Sequence, residues 1–188
     1  MLSALMGVVV VMGSATWVHA QTDRKISIAV DNHRDCGDLD GRRTHRLERR
    51  GEKVEITVNA ESYWNASGLV LEKGVRYTIS PKPNSIWKDW GKEAGVEGWE
   101  PESGFLKWFM SWARPLVRSP DEKLFQLMCL IWHRCGDSSR SCVTQFPIKT
   151  PGRTILPSMD GEFCAYANDL PFMYWNNSGE ISLVIERK

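Results

Sequence analysis

The stretch 168–179, NDLPFMYWNNSG, decides how this chain is read. It lies between 162–167 (EFCAYA) and 180–186 (EISLVIE), both patterned as strands. It is too polar and too punctuated to be a strand itself: Pro171 removes a backbone donor, and Gly179 permits a sharp exit into the next strand. Within it sit one carboxylate, Asp169, and three amides, Asn168, Asn176 and Asn177. These are hard oxygen donors with no sulfur or imidazole among them. Calcium takes about six to eight such oxygens, mixing carboxylate, amide and main-chain carbonyl. Adjacent residues in an extended strand point to opposite faces, so Asn176 and Asn177 can serve one ion only where the backbone is kinked. A single carboxylate leaves a divalent cation under-neutralised, and further oxygens must come from another loop, from water or from a ligand. The pattern therefore predicts an open, rather weak calcium site, suited to a calcium-rich compartment outside the cytoplasm. The competing reading is an asparagine-rich hairpin loop whose side chains bond only their own backbone.

Outward from this loop the chain reads as short strands. In 54–60 (VEITVNA), Val54, Ile56 and Val58 alternate with Glu55, Thr57 and Asn59, the mark of a half-buried strand. Residues 62–67 (SYWNAS) look like a break, and 69–71 and 75–80 like strands about a tight turn at Lys73-Gly74. Residues 124–132 (LFQLMCLIW) are apolar on both faces, as a central sandwich strand would be. Short strands with frequent glycine and proline predict an all-β, antiparallel β-sandwich. One part does not fit. Residues 86–120 hold Trp87, Trp90, Trp99, Trp108 and Trp112, and Phe105, Trp108, Phe109 and Trp112 follow helical spacing. That predicts a short amphipathic helix over 104–113, stopped by Pro115, inside a tryptophan-rich, partly helical insertion. Its apolar stripe is expected to pack on the core as a lid; a membrane-surface role would call for a denser basic face.

The chain has 188 residues, enough for one domain with a core. Residues 1–20 carry no charged side chain; an apolar run at 5–12 and Val18-His19-Ala20 predict a cleaved secretory signal rather than an anchor, and so a periplasmic or extracellular protein. Residues 21–50 look like an irregular N-terminal segment or linker, and 51–188 like the sandwich domain. The acid-rich 31–41 (DNHRDCGDLDG) lacks the order of an EF-hand, and the basic run 42–50 reads as solvated. With 24 basic against 23 acidic side chains, general nucleic-acid binding is disfavoured. Of the five cysteines, Cys135 and Cys142 flank a turn and suit a hairpin disulfide; Cys129 and Cys164 either bridge or stay as buried thiols; Cys36 is the fifth. A zinc set of Cys129, His133, Cys135 and Cys142 has no common finger spacing.

The motif N-D-x-P-x-x-Y-x-N-N-S-G, carried here by Asn168, Asp169, Pro171, Tyr174, Asn176, Asn177, Ser178 and Gly179, resembles that of the bacterial calcium-dependent galactophilic lectins of the PA-I lectin type. The resemblance covers about a dozen residues. It implies a galactose-binding-like, jelly-roll-like β-sandwich. It also implies calcium held by the side chains of Asp169, Asn176 and Asn177, the main-chain carbonyl of Met173 and a carbonyl near Trp87. In those lectins the sugar's hydroxyls complete the ion's shell. Where the lectin motif has a small residue after the tyrosine, this chain has Trp175, with Phe172 and Met173 beside it.

Nine tryptophans bear on the same expectation, because the apolar face of a pyranose packs on an indole while its hydroxyls meet polar groups. Trp175, inside the loop, is the leading stacking candidate, followed by Trp64. Trp87 and Trp90 flank Asp89, which could add charge to the ion or bond a hydroxyl. The expectation is a non-catalytic, calcium-dependent carbohydrate-binding protein, with modest single-site affinity favouring homo-oligomers. The alternative is an envelope-interaction or accessory module in which calcium only pins the loop. No nucleophile elbow, HExxH or paired-carboxylate motif points to an enzyme.

Overall fold

Val54, Ile56 and Val58 are buried while their neighbours are only partly so, as the alternating pattern requires of a strand with one face on a core. The computed structural model describes residues 26–28, 36–37, 44–134 and 141–188. The predicted secretory signal, the acid-rich 31–41 apart from Cys36 and Gly37, and Cys135 lie outside the described residues. In chain order the strands are β1 (Ile26–Ile28), β2 (Lys53–Asn59), β3 (Asn65–Leu71), β4 (Tyr77–Pro81), β5 (Trp87–Asp89), β6 (Lys92–Ala94), β7 (Glu97–Trp99), β8 (Leu124–Arg134), β9 (Ser141–Pro147), β10 (Arg153–Ile155), β11 (Gly161–Ala167) and β12 (Asn177–Arg187). Helix α1 (Gly104–Ala113) lies between β7 and β8.

The strands form two sheets. One runs β1-β2-β12-β4-β10, with β5 on the first residues of β12 and β6 on β5; the other runs β3-β11-β8-β7, with β9 also on β8. Pairing between named strands is antiparallel except between β1 and β2. The fold is thus the expected all-β sandwich. Its main core joins Val54, Ile56, Ile79, Ile181, Leu183 and Ile185 of the first sheet to Leu69, Leu71, Leu127, Ile131 and Phe163 of the second.

The central strands of the second sheet, β8 and β11, are buried on both faces, which is why they read as continuous apolar runs. A smaller cluster on its outer face gathers Cys36, Ala66, Met128, Leu130, Cys164 and Tyr166, with Trp64 and Trp132 against it. Here the cysteine expectation is corrected: Cys164 bonds to Cys36, with Cα atoms 6.2 Å apart, and Cys129 is a free, buried thiol whose pKa burial drives upward. Register is the reason. Cys164 sits opposite Leu130 and Ala165 opposite Cys129, so the two sulfurs leave opposite faces of the sheet. Cys142 is in a disulfide, and His133 Nδ1 pairs with the Asp160 carbonyl at 2.8 Å, so the zinc set does not form.

Two more readings change. Residues 62–67 were expected to break the chain, yet β3 starts at Asn65, whose amide accepts from Asn59 N–H at 2.8 Å and donates to the Asn59 carbonyl at 3.0 Å. The described parts of 21–50 are stitched to the sandwich by β1, by Cys36 and by the His45–Leu69 bridge. Among the described residues no helix is long and apolar enough to cross a membrane.

The helix forms where its spacing predicts, but faces the other way. It docks through Met110 and Ala113, which pack with Val117, Leu124 and Leu170, and with Trp99 and Met173 at the margin. The stripe expected on the core, Phe105, Trp108, Phe109 and Trp112, is exposed.

Candidate functional site

The loop between β11 and β12 is held at its entry by Asn168. This fully buried amide accepts from Ser119 N–H at 2.9 Å and donates to the carbonyls of Ser119 and Lys123, each at 2.9 Å. Its backbone trades hydrogen bonds with β8: Phe125 N–H donates to the Asn168 carbonyl at 2.6 Å and Asn168 N–H to the Gln126 carbonyl at 2.9 Å. Phe125 takes φ 57° to do this, a strained conformation for an aromatic residue, and it packs at 5.4 Å on Trp87.

Tyr174 anchors the middle of the loop. Its hydroxyl donates to the Ala167 carbonyl at 2.5 Å and accepts from Arg118 at 2.8 Å. The Arg118 guanidinium lies 3.6 Å from the Tyr166 ring and 4.0 Å from each of Tyr63 and Trp64, and Arg118 N–H donates to the Asp169 carbonyl at 3.2 Å. One caged cation therefore ties three aromatic rings to the loop.

The kink that the sequence required is a 3₁₀ turn, Tyr174–Asn176, after which Asn177 is extended. The turn is closed by Asn176 N–H donating to the Met173 carbonyl at 3.2 Å. Gly179, at φ 90°, lets β5 come close: a Cβ there would stand 3.0 Å from the Ile86 carbonyl oxygen and from Trp87 Cα. That approach sets Asp89 directly opposite Asn177.

The side chains then meet. Asn177 Nδ2 donates to Asp169 Oδ2 at 3.0 Å and to the Ala60 carbonyl at 3.2 Å, while Asp169 Oδ1 accepts from Leu170 N–H at 2.7 Å. Asn176 Nδ2 donates to Asp89 Oδ1 at 3.4 Å. In both asparagines the amide nitrogen is used, and the buried amide oxygen, Oδ1, has no partner. A buried acceptor without a donor costs about 1–3 kcal/mol, so two in adjacent residues call for an explanation.

The carboxylates feel the same surroundings. Burial pushes Asp169, only 6% exposed, above the usual range, against the pull of the Leu170 N–H and the Asn177 amide. Asp89 is pushed up to about 6, first by burial and then by the charge of Asp169; Trp99, Lys92 and Asn176 pull it back. Two carboxylates, one of which is pushed up by the charge of the other, lie beside two orphan amide oxygens and make an oxygen-rich, electron-rich set, which is the donor chemistry of calcium. The residues fit that ion.

A cleft of about 500 Å³ opens on this group, lined by Asp89, Trp90, Lys92, Trp99, Phe105, Phe109, Met110, Leu124, Asp169, Leu170, Met173 and Asn176. Of the residues singled out in the sequence, Asp89, Asp169, Met173 and Asn176 line it, and Asn177 stands behind through its bond to Asp169. Trp175 is 75% exposed and is not in the lining. Trp87 is 0% exposed, with its indole inside the core, so it offers no surface to a ligand. Its neighbour Trp90 is 77% exposed and does line the cleft. Trp90 and Gly91 join β5 to β6 with φ 45° and 80°, a tight turn that usually takes Asn-Gly. A tryptophan held there is strained, and strain of this kind gathers at functional sites. The sequence signal for it was the missing Asn before Gly91.

No protein-family model matches the chain, and no curated protein matches it. A solved domain described as "EclA N-terminal domain; PllA-like lectin" is similar at 18% identity and TM-score 0.44, over 71% of this chain and 95% of that one.

Proposed function

We propose that this chain is a calcium-dependent carbohydrate-binding protein. Asp169, Asn176 and Asn177, with the Met173 main-chain carbonyl and Asp89, would hold one calcium ion. The observation that carries this reading is the pair of buried, partnerless amide oxygens of Asn176 and Asn177 beside the buried carboxylate of Asp169 and the half-buried one of Asp89. The motif 168–179 supports it independently. Asp89 supplies the second negative charge that the loop alone lacks. Bound there, calcium would orient two vicinal hydroxyls at once and so select the stereochemistry of a diol. Trp90 offers a ring in the cleft and Trp175 an exposed ring on the loop, for the apolar face of a sugar. The Cys36–Cys164 bond and the disulfide at Cys142 accord with an oxidising compartment outside the cytoplasm.

A glycan array probed with calcium and again with chelator tests the proposal. Binding that disappears with chelator is the expected result; binding indifferent to chelator contradicts it. A second reading, in which the ion only pins the loop, draws on the packing of Leu170 and Met173 beneath α1. It predicts that calcium raises the melting temperature while no glycan raises it further.

A further inference from the structure

The cleft is built in two chemistries. Its polar lining, Asp89, Lys92, Asp169 and Asn176, comes from the β5–β6 hairpin and the loop before β12. Helix α1 contributes only apolar side chains, Phe105, Phe109 and Met110, and Leu124 and the largely apolar Trp99 continue that wall. Lys92, the one cation in the lining, is committed: its ammonium lies 3.7 Å from the centre of the Trp99 ring. A bare sugar presents hydroxyls on most of its edges, and those turned toward such walls would lose water without gaining partners. An occupant that satisfies both ends is polar where it meets Asp89, Asp169 and Asn176, and uncharged hydrocarbon where it meets α1. The orientation of the helix agrees. Its outward stripe keeps Phe105 and Phe109 available to the cleft, whereas docking by that stripe would have closed the space.

We propose that the cleft binds the alkyl chain of a lipid-linked sugar, with the sugar's hydroxyls at the Asp89–Asp169–Asn176 end. This rests on the calcium-dependent carbohydrate reading above and names its ligand class. The α1 wall then selects amphiphilic glycosides over free oligosaccharides.

The test is calorimetry on the whole chain with matched methyl and octyl glycosides of galactose, glucose and mannose. It is run below the micelle concentration, with calcium and with chelator, after calcium alone has been titrated. The expected result is at least tenfold tighter binding of the octyl form of whichever sugar binds, lost with chelator. That advantage should shrink below threefold in Phe105→Ala and Phe109→Ala, both at exposed positions where truncation leaves the fold intact. Trp108→Ala, on the same helix but outside the cleft, should keep it. Equal affinity for methyl and octyl forms overturns the alkyl site and leaves the carbohydrate reading standing. Octyl binding that ignores chelator, or that falls as much in Trp108→Ala, also overturns it. If calcium binds but no glycoside does, the carbohydrate reading fails and this inference with it. If calcium itself does not bind, the ion site fails, and the carbohydrate reading and this inference fail with it.

Discussion

Asn168 and the pair Asn176–Asn177 sit at the two ends of one loop and behave in opposite ways. Asn168 spends both its oxygen and its nitrogen on the 119–123 segment and has nothing to offer a ligand. Asn176 and Asn177 spend only their nitrogens, and their oxygens are buried without a donor. The same side chain is scaffold at one end and candidate ligand at the other, and the difference is legible in its unused hydrogen-bonding capacity.

The largest effect should come from breaking the scaffold end. Asn168→Ala leaves Ser119 N–H unpartnered and takes one donor each from the Ser119 and Lys123 carbonyls, which keep Glu122 N–H and Gln126 N–H; it should cost about 4 kcal/mol, lowering the melting temperature by about 10 °C. Asn176→Ala, which removes an orphan, should be nearly neutral in the absence of calcium. Equal losses in the two variants would erase the contrast. At the ligand end, Asp169→Asn keeps the shape and removes one of the two charges; calorimetry should show calcium affinity at least about 100-fold weaker, roughly 3 kcal/mol. Wild-type affinity there would remove Asp169 from the site. Arg118→Met takes the cation out of its aromatic cage and should lower stability by about 2 kcal/mol in denaturant melts.

Protons sharpen the same comparison. Between the usual carboxylate range and the value of about 6 for Asp89, the folded chain holds a proton that the unfolded chain has lost. Stability without metal should therefore fall as pH rises through that window, and Asp89→Asn should flatten the dependence. Calcium must displace that proton, so its affinity should drop by about tenfold from pH 7 to pH 5 in the native chain. A flat profile would mean that Asp89 takes no part. Smallest of all, Trp90→Ala should weaken sugar binding by about threefold in the same calorimetric assay, and its comparison with Trp175→Ala decides which ring meets the sugar.

Much of the frame was readable because β2 and β12 are long enough for burial to leave a period, and β8 and β11 long enough to stand out as apolar runs. Strands β1, β5, β6 and β7 have three residues each and leave none. The loop's oxygen-bearing side chains could be proposed as a donor set from sequence because calcium chemistry selects residue types. The convergence of Asp89 was only one of two roles the sequence offered it, since a partner on a neighbouring strand is fixed by register and by the absence of a Cβ at Gly179. Spacing placed α1 over 104–113 but could not say which face it buries: Met110 and Ala113 form the seam, and the bulkier stripe is left outside. Likewise, nine tryptophans announce aromatic surface without saying that Trp87 is core and Trp90 is not.

The most direct measurement is a crystal structure grown with calcium, with data collected at long wavelength for the ion's anomalous signal. One peak within coordination distance of Asn176 Oδ1, Asn177 Oδ1 and an Asp169 carboxylate oxygen is the expected result. Those three oxygens pointing apart, with no peak among them, would contradict it.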